Sequence, residues 1–256
     1  MELLTVNVPD ASYPIVVGAG LLHASMGPEP LRAAVSGCRC LLVSDDTVAP
    51  LYAAPVERLL RTAGAGAVET AVIPAGEASK TLATMGVLYD RAVEARLNRG
   101  SVVVALGGGV VGDLAGFLAA TYMRGIACVQ VPTSLLAMVD SSVGGKTGVD
   151  MPQGKNLVGA FHQPRLVLAD MNVLETLPPR EFSAGLAEVV KYAFIMAPDF
   201  AATLERNAEA IRAGNPDVLA SMVRRCCELK AEIVADDERE NGRRAVLNYG
   251  HTFGHA

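Results

Sequence analysis

The carboxyl-terminal stretch Asn248-Tyr249-Gly250-His251-Thr252-Phe253-Gly254-His255 places two histidines four residues apart, on one face if the segment is helical. That is metal-ligand spacing. No Glu follows His251, so the metalloprotease signature, which needs that Glu as general base, is excluded. Upstream, Glu188 and Lys191 lie three apart and share a helix face. A surface ion pair is the default account of such a pair, but the neighbours Ala187, Val189 and Val190 are apolar. One carboxylate and two imidazoles suit a catalytic divalent metal, commonly zinc; two structural histidines are the alternative.

A second constellation handles phosphate. The apolar run Val102 to Leu106 leads into Gly107-Gly108-Gly109-Val110-Val111-Gly112-Asp113 and then a helix-like segment. Glycines let a diphosphate approach the backbone, and the helix start offers unpaired N–H groups and partial positive charge. The competing account is a tight packing turn. Pro74-Ala75-Gly76-Glu77-Ala78-Ser79-Lys80 repeats the strand-to-helix context, with Glu77 suited to ribose hydroxyls and Lys80 to an anion; an exposed capping loop would look the same. Ser44-Asp45-Asp46-Thr47 has acids at a strand end, for ribose or for helix capping.

Polar and basic loops follow: Pro132-Thr133-Ser134, then Asp140 to Gly148 with Gly144-Gly145-Lys146-Thr147, then Gly154-Lys155-Asn156. Lys146 lacks the glycine spacing of a P-loop, which excludes an NTPase of that type. Two lysines in glycine-rich loops beside Asp140, Thr133 and Ser134 make an anion and polyol site. Arg124 either joins them or serves as a helix-end cation.

The elements that must position these residues alternate. Cys40 to Val43, Val68 to Ile73, Val102 to Leu106, Ile126 to Val131 and Leu166 to Ala169 read as strands, with Val48 to Ala63 and Thr81 to Leu97 as helices between them. Continuous hydrophobicity implies strands buried on both faces, hence a mostly parallel sheet covered by helices. After Pro178-Pro179 the chain turns helical over Arg180 to Met196, Asp199 to Ala213 and Pro216 to Ala235. The expected organisation is an α/β domain at 1–177 and a helical domain at 178–256, with a site at the carboxyl ends of the strands.

Composition narrows the function. With 256 residues, 51% of them hydrophobic, the chain can bury a large core. A net charge of -5 and pI near 5.4 argue against nucleic acid. Asp113 and three glycines interrupt the apolar stretch Ser101 to Met123, so no membrane span is expected. The amino terminus lacks signal-peptide character. Five cysteines without ribbon or C-x-x-C spacing fit reduced thiols and a cytoplasmic location.

Taken together the segments resemble the 3-dehydroquinate synthase family, a branch of the sugar-phosphate cyclases. Tyr122-Met123-Arg124-Gly125, Val131 through Ser142, Gly144-Gly145-Lys146-Thr147, Gly154-Lys155-Asn156, Ala187-Glu188-Val189-Val190-Lys191 and Asn248-Tyr249-Gly250-His251 carry the resemblance. It implies a Rossmann-like NAD-binding domain followed by an all-helical metal and substrate domain. It also implies conversion of 3-deoxy-arabino-heptulosonate 7-phosphate to 3-dehydroquinate and phosphate, with NAD reduced and reoxidised within each turnover. Glu188 and His251 would be metal ligands, for zinc or cobalt. Arg124, Lys146, Lys191, Lys230, Arg244, Asn248 and His255 would bind the small phosphorylated sugar-acid substrate, with His255 a proton carrier, and Asp140 would bind a substrate hydroxyl or the nicotinamide side.

The same resemblance assigns NAD contacts to Asp45, Glu77, Lys80, Gly109, Val110, Val111, Gly112, Asp113, Thr133, Ser134, Lys146, Lys155 and Thr176, and implies a homodimer. It places a third metal-binding histidine and a substrate-contacting lysine beyond Ala256, so the chain is expected to be the front part of the family's length. Other readings are another sugar-phosphate cyclase, making 2-deoxy-scyllo-inosose or a valiolone, a glycerol dehydrogenase-like metal enzyme, and a non-catalytic nucleotide-binding module. Net NADH formation would identify the dehydrogenase, and NAD binding without metal or phosphate release the module.

Overall fold

The computed structural model describes residues 1–8, 11–240 and 242–250. Its centre is a seven-stranded sheet of β1 (Glu2–Val6), β2 (Tyr13–Gly18), β3 (Arg39–Asp45), β4 (Ala67–Ile73), β5 (Val102–Gly107), β6 (Ala127–Pro132) and β9 (Leu166–Asp170), in the order β1-β2-β9-β6-β5-β3-β4. Only β1, paired with β2, runs antiparallel. All five strands expected from the sequence are present. The amino-terminal pair β1–β2 was not anticipated.

Continuous apolar strands end up between two cores because successive side chains point to opposite faces. Cys40, Leu42, Val102, Val104 and Leu106 face one core, shared with α1 (Glu29–Val35), α2 (Ala49–Thr62), α5 (Pro179–Met196) and α8 (Pro216–Asp236). Leu41, Val43, Val103 and Ala105 face the other, with α3 (Leu82–Glu94) and α4 (Gly109–Thr121). Every residue of β5 is buried. Such a strand cannot alternate polar and apolar residues, which explains its Val-rich sequence.

The helical part begins with proline in the first turn of α5, where the missing N–H costs nothing. In α8, Pro216 follows Asn215, whose side chain accepts from Asp217 N and Val218 N, both at 3.1 Å. One expected helix divides: Asp199 to Ala213 forms α6 (Pro198–Arg206) and α7 (Ala208–Arg212). At the break, the Asn207 side-chain amide donates to Thr203 O at 2.9 Å, competing with the helical ladder.

A second correction concerns the glycine-rich loops. Lys146 and Lys155 lie in a hairpin, β7 (Lys146–Met151) paired with β8 (Gly154–Phe161). Glycines inside strands hid it, since they lower strand propensity. They are needed here because a Cβ on Gly159 would lie 2.1 Å from Thr147 O, and one on Gly116 of α4 would lie 2.4 Å from Thr147 Cγ2. The hairpin thus packs directly onto α4. Among the described residues, no helix is long and apolar enough to cross a membrane.

Candidate active site

β3, β4, β5, β6 and β9 are parallel, so their carboxyl ends, Asp45, Ile73, Gly107, Pro132 and Asp170, share one edge of the sheet. β4 and β5 flank β3 on opposite sides, which makes the β3–β5 gap the point where connections reverse direction and ligands settle. Ser44 Oγ donates to Leu106 O at 2.8 Å across that gap. Asp45 at its rim accepts from Thr47 N and Val48 N at 2.9 and 2.8 Å, bracing the turn that leads into α2, whose own N-cap, Val48, has no side-chain cap. Thr176, after β9, has its hydroxyl 2.6 Å from that of Tyr52.

The glycine turn leads straight from β5 into α4. Gly107 is required by packing, since a Cβ there would come within 2.6 Å of Val111. Gly108 has an ordinary φ of -76°, and neither it nor Gly109 would place a Cβ nearer than 3.3 Å to anything. Folding therefore does not demand those two glycines, whereas a ligand resting on the turn would. Gly112 is confined by Gln130, whose side-chain oxygen would lie 3.0 Å from an added Cβ. Thr133 N donates to Gly107 O at 2.9 Å, and Ser134 Oγ accepts from Ala137 N at 3.2 Å, so the ends of β5 and β6 hold each other.

Lys80, buried after β4, reaches Asp113 Oδ2 at 2.5 Å and Asn156 Oδ1 at 2.5 Å. Burial pushes the Asp113 carboxyl above the usual range, with Lys80 partly opposing the shift. Lys155 pairs with Glu77 at 3.0 Å. Glu77, Lys80, Asp113 and Lys155 therefore form one cluster, to which the structure adds Asn156.

Beside it lies a cavity of about 610 Å³ lined by Asp113, Asp140, Lys146, Lys230, Arg244 and Asn248, among others. Lys230 Nζ donates to Asp140 Oδ1 at 2.5 Å and to Asp140 O at 2.7 Å. Burial lowers the Lys230 ammonium below the ordinary lysine range, and Asp140 offsets part of that. Lys146 pairs with Glu240, which also accepts from Asn248 Nδ2 at 2.7 Å. Burial opposes ionisation of Glu240, yet the hydrogen bonds from Lys146 and Asn248 prevail and hold its carboxyl below the usual range. Glu240 was missed in the sequence because it sits in an ordinary charged run.

Arg244 is almost wholly buried, with its guanidinium donating to Glu238 O at 2.5 Å and Gly144 O at 3.0 Å and lying over the Phe161 ring. Tyr13, from the unanticipated β2, accepts at its hydroxyl from Gly144 N at 3.1 Å. The peptide two residues before Lys146 is thus clamped from both sides.

Lys191 pairs with Glu188 and donates to Leu247 O at 2.5 Å, and Leu247 in turn lines the cavity. His251 and His255 lie outside the described residues. Among the described residues no three His, Cys, Asp or Glu side chains gather as a metal site, so Glu188 is the one sequence-derived ligand whose surroundings are visible. It is partly buried, as a carboxylate ligand should be. Arg124 is exposed, with φ of 69°, and is not among the cavity-lining residues.

A family model described as 3-dehydroquinate synthase N-terminal matches residues 70–184, and one described as 3-dehydroquinate synthase C-terminal matches 185–256. The chain is 56% identical, over its whole length and 68% of the relative's, to a 3-dehydroquinate synthase of Pelotomaculum thermopropionicum. A solved 2-deoxy-scyllo-inosose synthase, complexed with carbaglucose-6-phosphate, NAD+ and Co2+, superposes with a TM-score of 0.86 at 29% identity, covering 99% of this chain and 69% of that one. The 2-epi-5-epi-valiolone synthase of Streptomyces hygroscopicus, with NAD+ and Zn2+ bound, gives 0.85 at 30% identity over 96% of this chain and 68% of that one.

Proposed function

The chain belongs to the 3-dehydroquinate synthase family, and from that premise we propose that its central cavity binds the substrate while the carboxyl edge of the sheet binds NAD. The enzyme is a carbon–oxygen lyase of the shikimate pathway, converting 3-deoxy-D-arabino-heptulosonate 7-phosphate to 3-dehydroquinate and phosphate. Its cofactors are NAD and a divalent metal. The cyclases making inosose or valiolone share the fold at 29–30% identity, well below the 56% of the synthase relative.

Bound NAD would supply hydride acceptance and return at one substrate carbinol, and a bound divalent metal would supply polarisation of its oxygen. Glu188 and His251 would hold the metal, zinc or cobalt. Glu77, Lys80, Asp113, Thr133, Ser134, Lys155, Asp45 and Thr176 would contact the cofactor, and the turn at Gly108 and Gly109 would receive its diphosphate. Gly109, Val110, Val111 and Gly112 open α4 beneath it, and the glycine positions that packing leaves open support this placement.

Lys146, Lys230, Arg244 and Asn248 face the substrate's phosphate and carboxylate, with Arg124 drawn in from outside the cavity. Their convergence beside Asp140, next to the Lys80–Asp113 cluster, is the observation that carries the reading. Asp140 accepts a substrate hydroxyl, Lys191 orients Glu188, and His255 moves a proton. Oxidation of the carbinol acidifies the adjacent C–H, so removing that proton expels phosphate. The enzyme acts as a cytoplasmic homodimer, with residues 1–177 serving the cofactor and 178–256 the metal and substrate.

Incubation with zinc, NAD and the heptulosonate phosphate tests this directly. Equal amounts of phosphate and 3-dehydroquinate should appear, with no net NADH. Net NADH formation would identify a dehydrogenase instead.

A further inference from the structure

Asp140 is the penultimate residue of a π-helical turn, Ala137–Ser141, and such turns are short-range distortions found mostly where function needs a side chain aimed. Two helices of the carboxyl-terminal half grip it. Lys230 of α8 approaches Oδ1 at 2.5 Å, and the hydroxyl of Tyr192 in α5 lies 3.4 Å from the same oxygen and 3.1 Å from Val139 O. Tyr192 is fully buried, and burial raises its hydroxyl well above the ordinary tyrosine range, so it remains a donor. It follows Lys191 directly and lies four residues after Glu188, so one turn of α5 carries all three.

We propose that Tyr192 is a positioning residue for the established reaction: its hydroxyl fixes the Asp140 carboxylate toward the substrate and ties it to the turn of α5 that bears Glu188 and Lys191. The inference rests on the reading of the cavity given above. The single hydroxyl proton is shared between Val139 O and Asp140 Oδ1, so it restrains both the backbone and the side chain of the turn. Lys230 holds the Asp140 carboxylate from α8, and Tyr192 adds a hold on the same oxygen from α5.

The test is a double-mutant cycle on substrate affinity, with NADH replacing NAD so that no turnover begins. Tyr192→Phe should raise the substrate Kd about 10-fold while leaving the NADH Kd unchanged. In the Asp140→Asn background the same change should cost less than about two-fold, because the group it positions is altered. Equal losses in both backgrounds, or an unchanged Kd for Tyr192→Phe, would overturn the role of Tyr192 alone. An unchanged Kd for Asp140→Asn would overturn the reading of the cavity, and the role of Tyr192 with it. Should Tyr192→Phe fail to fold, 3,5-difluorotyrosine at position 192 keeps the shape and strengthens the donor. Its shift in Kd should again vanish in Asp140→Asn, and persistence there overturns the proposal.

Discussion

The ammonium of Lys80 lies 2.5 Å from the carboxylate of Asp113, joining the segment after β4 to the first turns of α4. Both groups are largely buried, and each is costly there without the other. Lys80→Met should therefore destabilise the fold by about 3 kcal/mol near pH 7. The native Asp113 carboxyl already titrates above its unfolded value of 3.8, so its contribution is favourable in acid and lost as pH rises through the native value. Losing Lys80 raises that value further. The destabilisation should thus shrink when urea unfolding is repeated at pH 5, and an equal loss at both pH values would contradict this account.

Glu240 has the opposite sign. Its native carboxyl sits below the unfolded value of 4.5, so its stabilisation is present above that value and fades as pH falls through the native one. Glu240→Gln should be less stable than the parent at pH 7 and indistinguishable in strong acid. It also removes the competitor for Lys146, so inorganic phosphate, measured by calorimetry, should bind about 3-fold more tightly.

The turn at Gly109 separates folding from binding. A methyl added there meets only Ser141 Oγ at 3.3 Å, so Gly109→Ala should alter unfolding free energy by less than about 1 kcal/mol. The NAD Kd should rise at least about 10-fold, as expected when backbone approach to a diphosphate is obstructed. A large drop in thermal midpoint with unchanged NAD affinity would make the turn a packing feature.

Chelation should abolish product formation, with zinc or cobalt restoring it. Glu188→Gln, which keeps a hydrogen-bonding partner beside buried Lys191, should lower bound metal, measured by atomic absorption, in a chain that stays folded by circular dichroism. Full metal occupancy in the variant would remove Glu188 from the ligand set.

Much was legible because it is periodic or local. Continuous apolar runs announced β3, β5, β6 and β9, whereas β4 is an edge strand interrupted by Glu69 and Thr70, with Glu69 and Val72 exposed; the proline after Leu177 announced α5. The hairpin β7–β8 was hidden because its glycines serve the approach of Thr147 to α4, a contact invisible to local propensity. Tyr13 and Tyr192 carry no local sequence signal of a positioning role, and only their hydroxyl partners reveal one.

The sequence by itself determined the two-faced burial of the sheet, the glycine turn, and the supply of lysines, arginine and acids, because side-chain period and residue chemistry act within a few positions. Tertiary structure decided which charges meet. Asp140 and Lys230 are ninety residues apart, and their pairing depends on how α8 packs against the π turn. Residue type fixes what a group can donate or accept, but its partner, burial and proton affinity follow from the packing of distant elements.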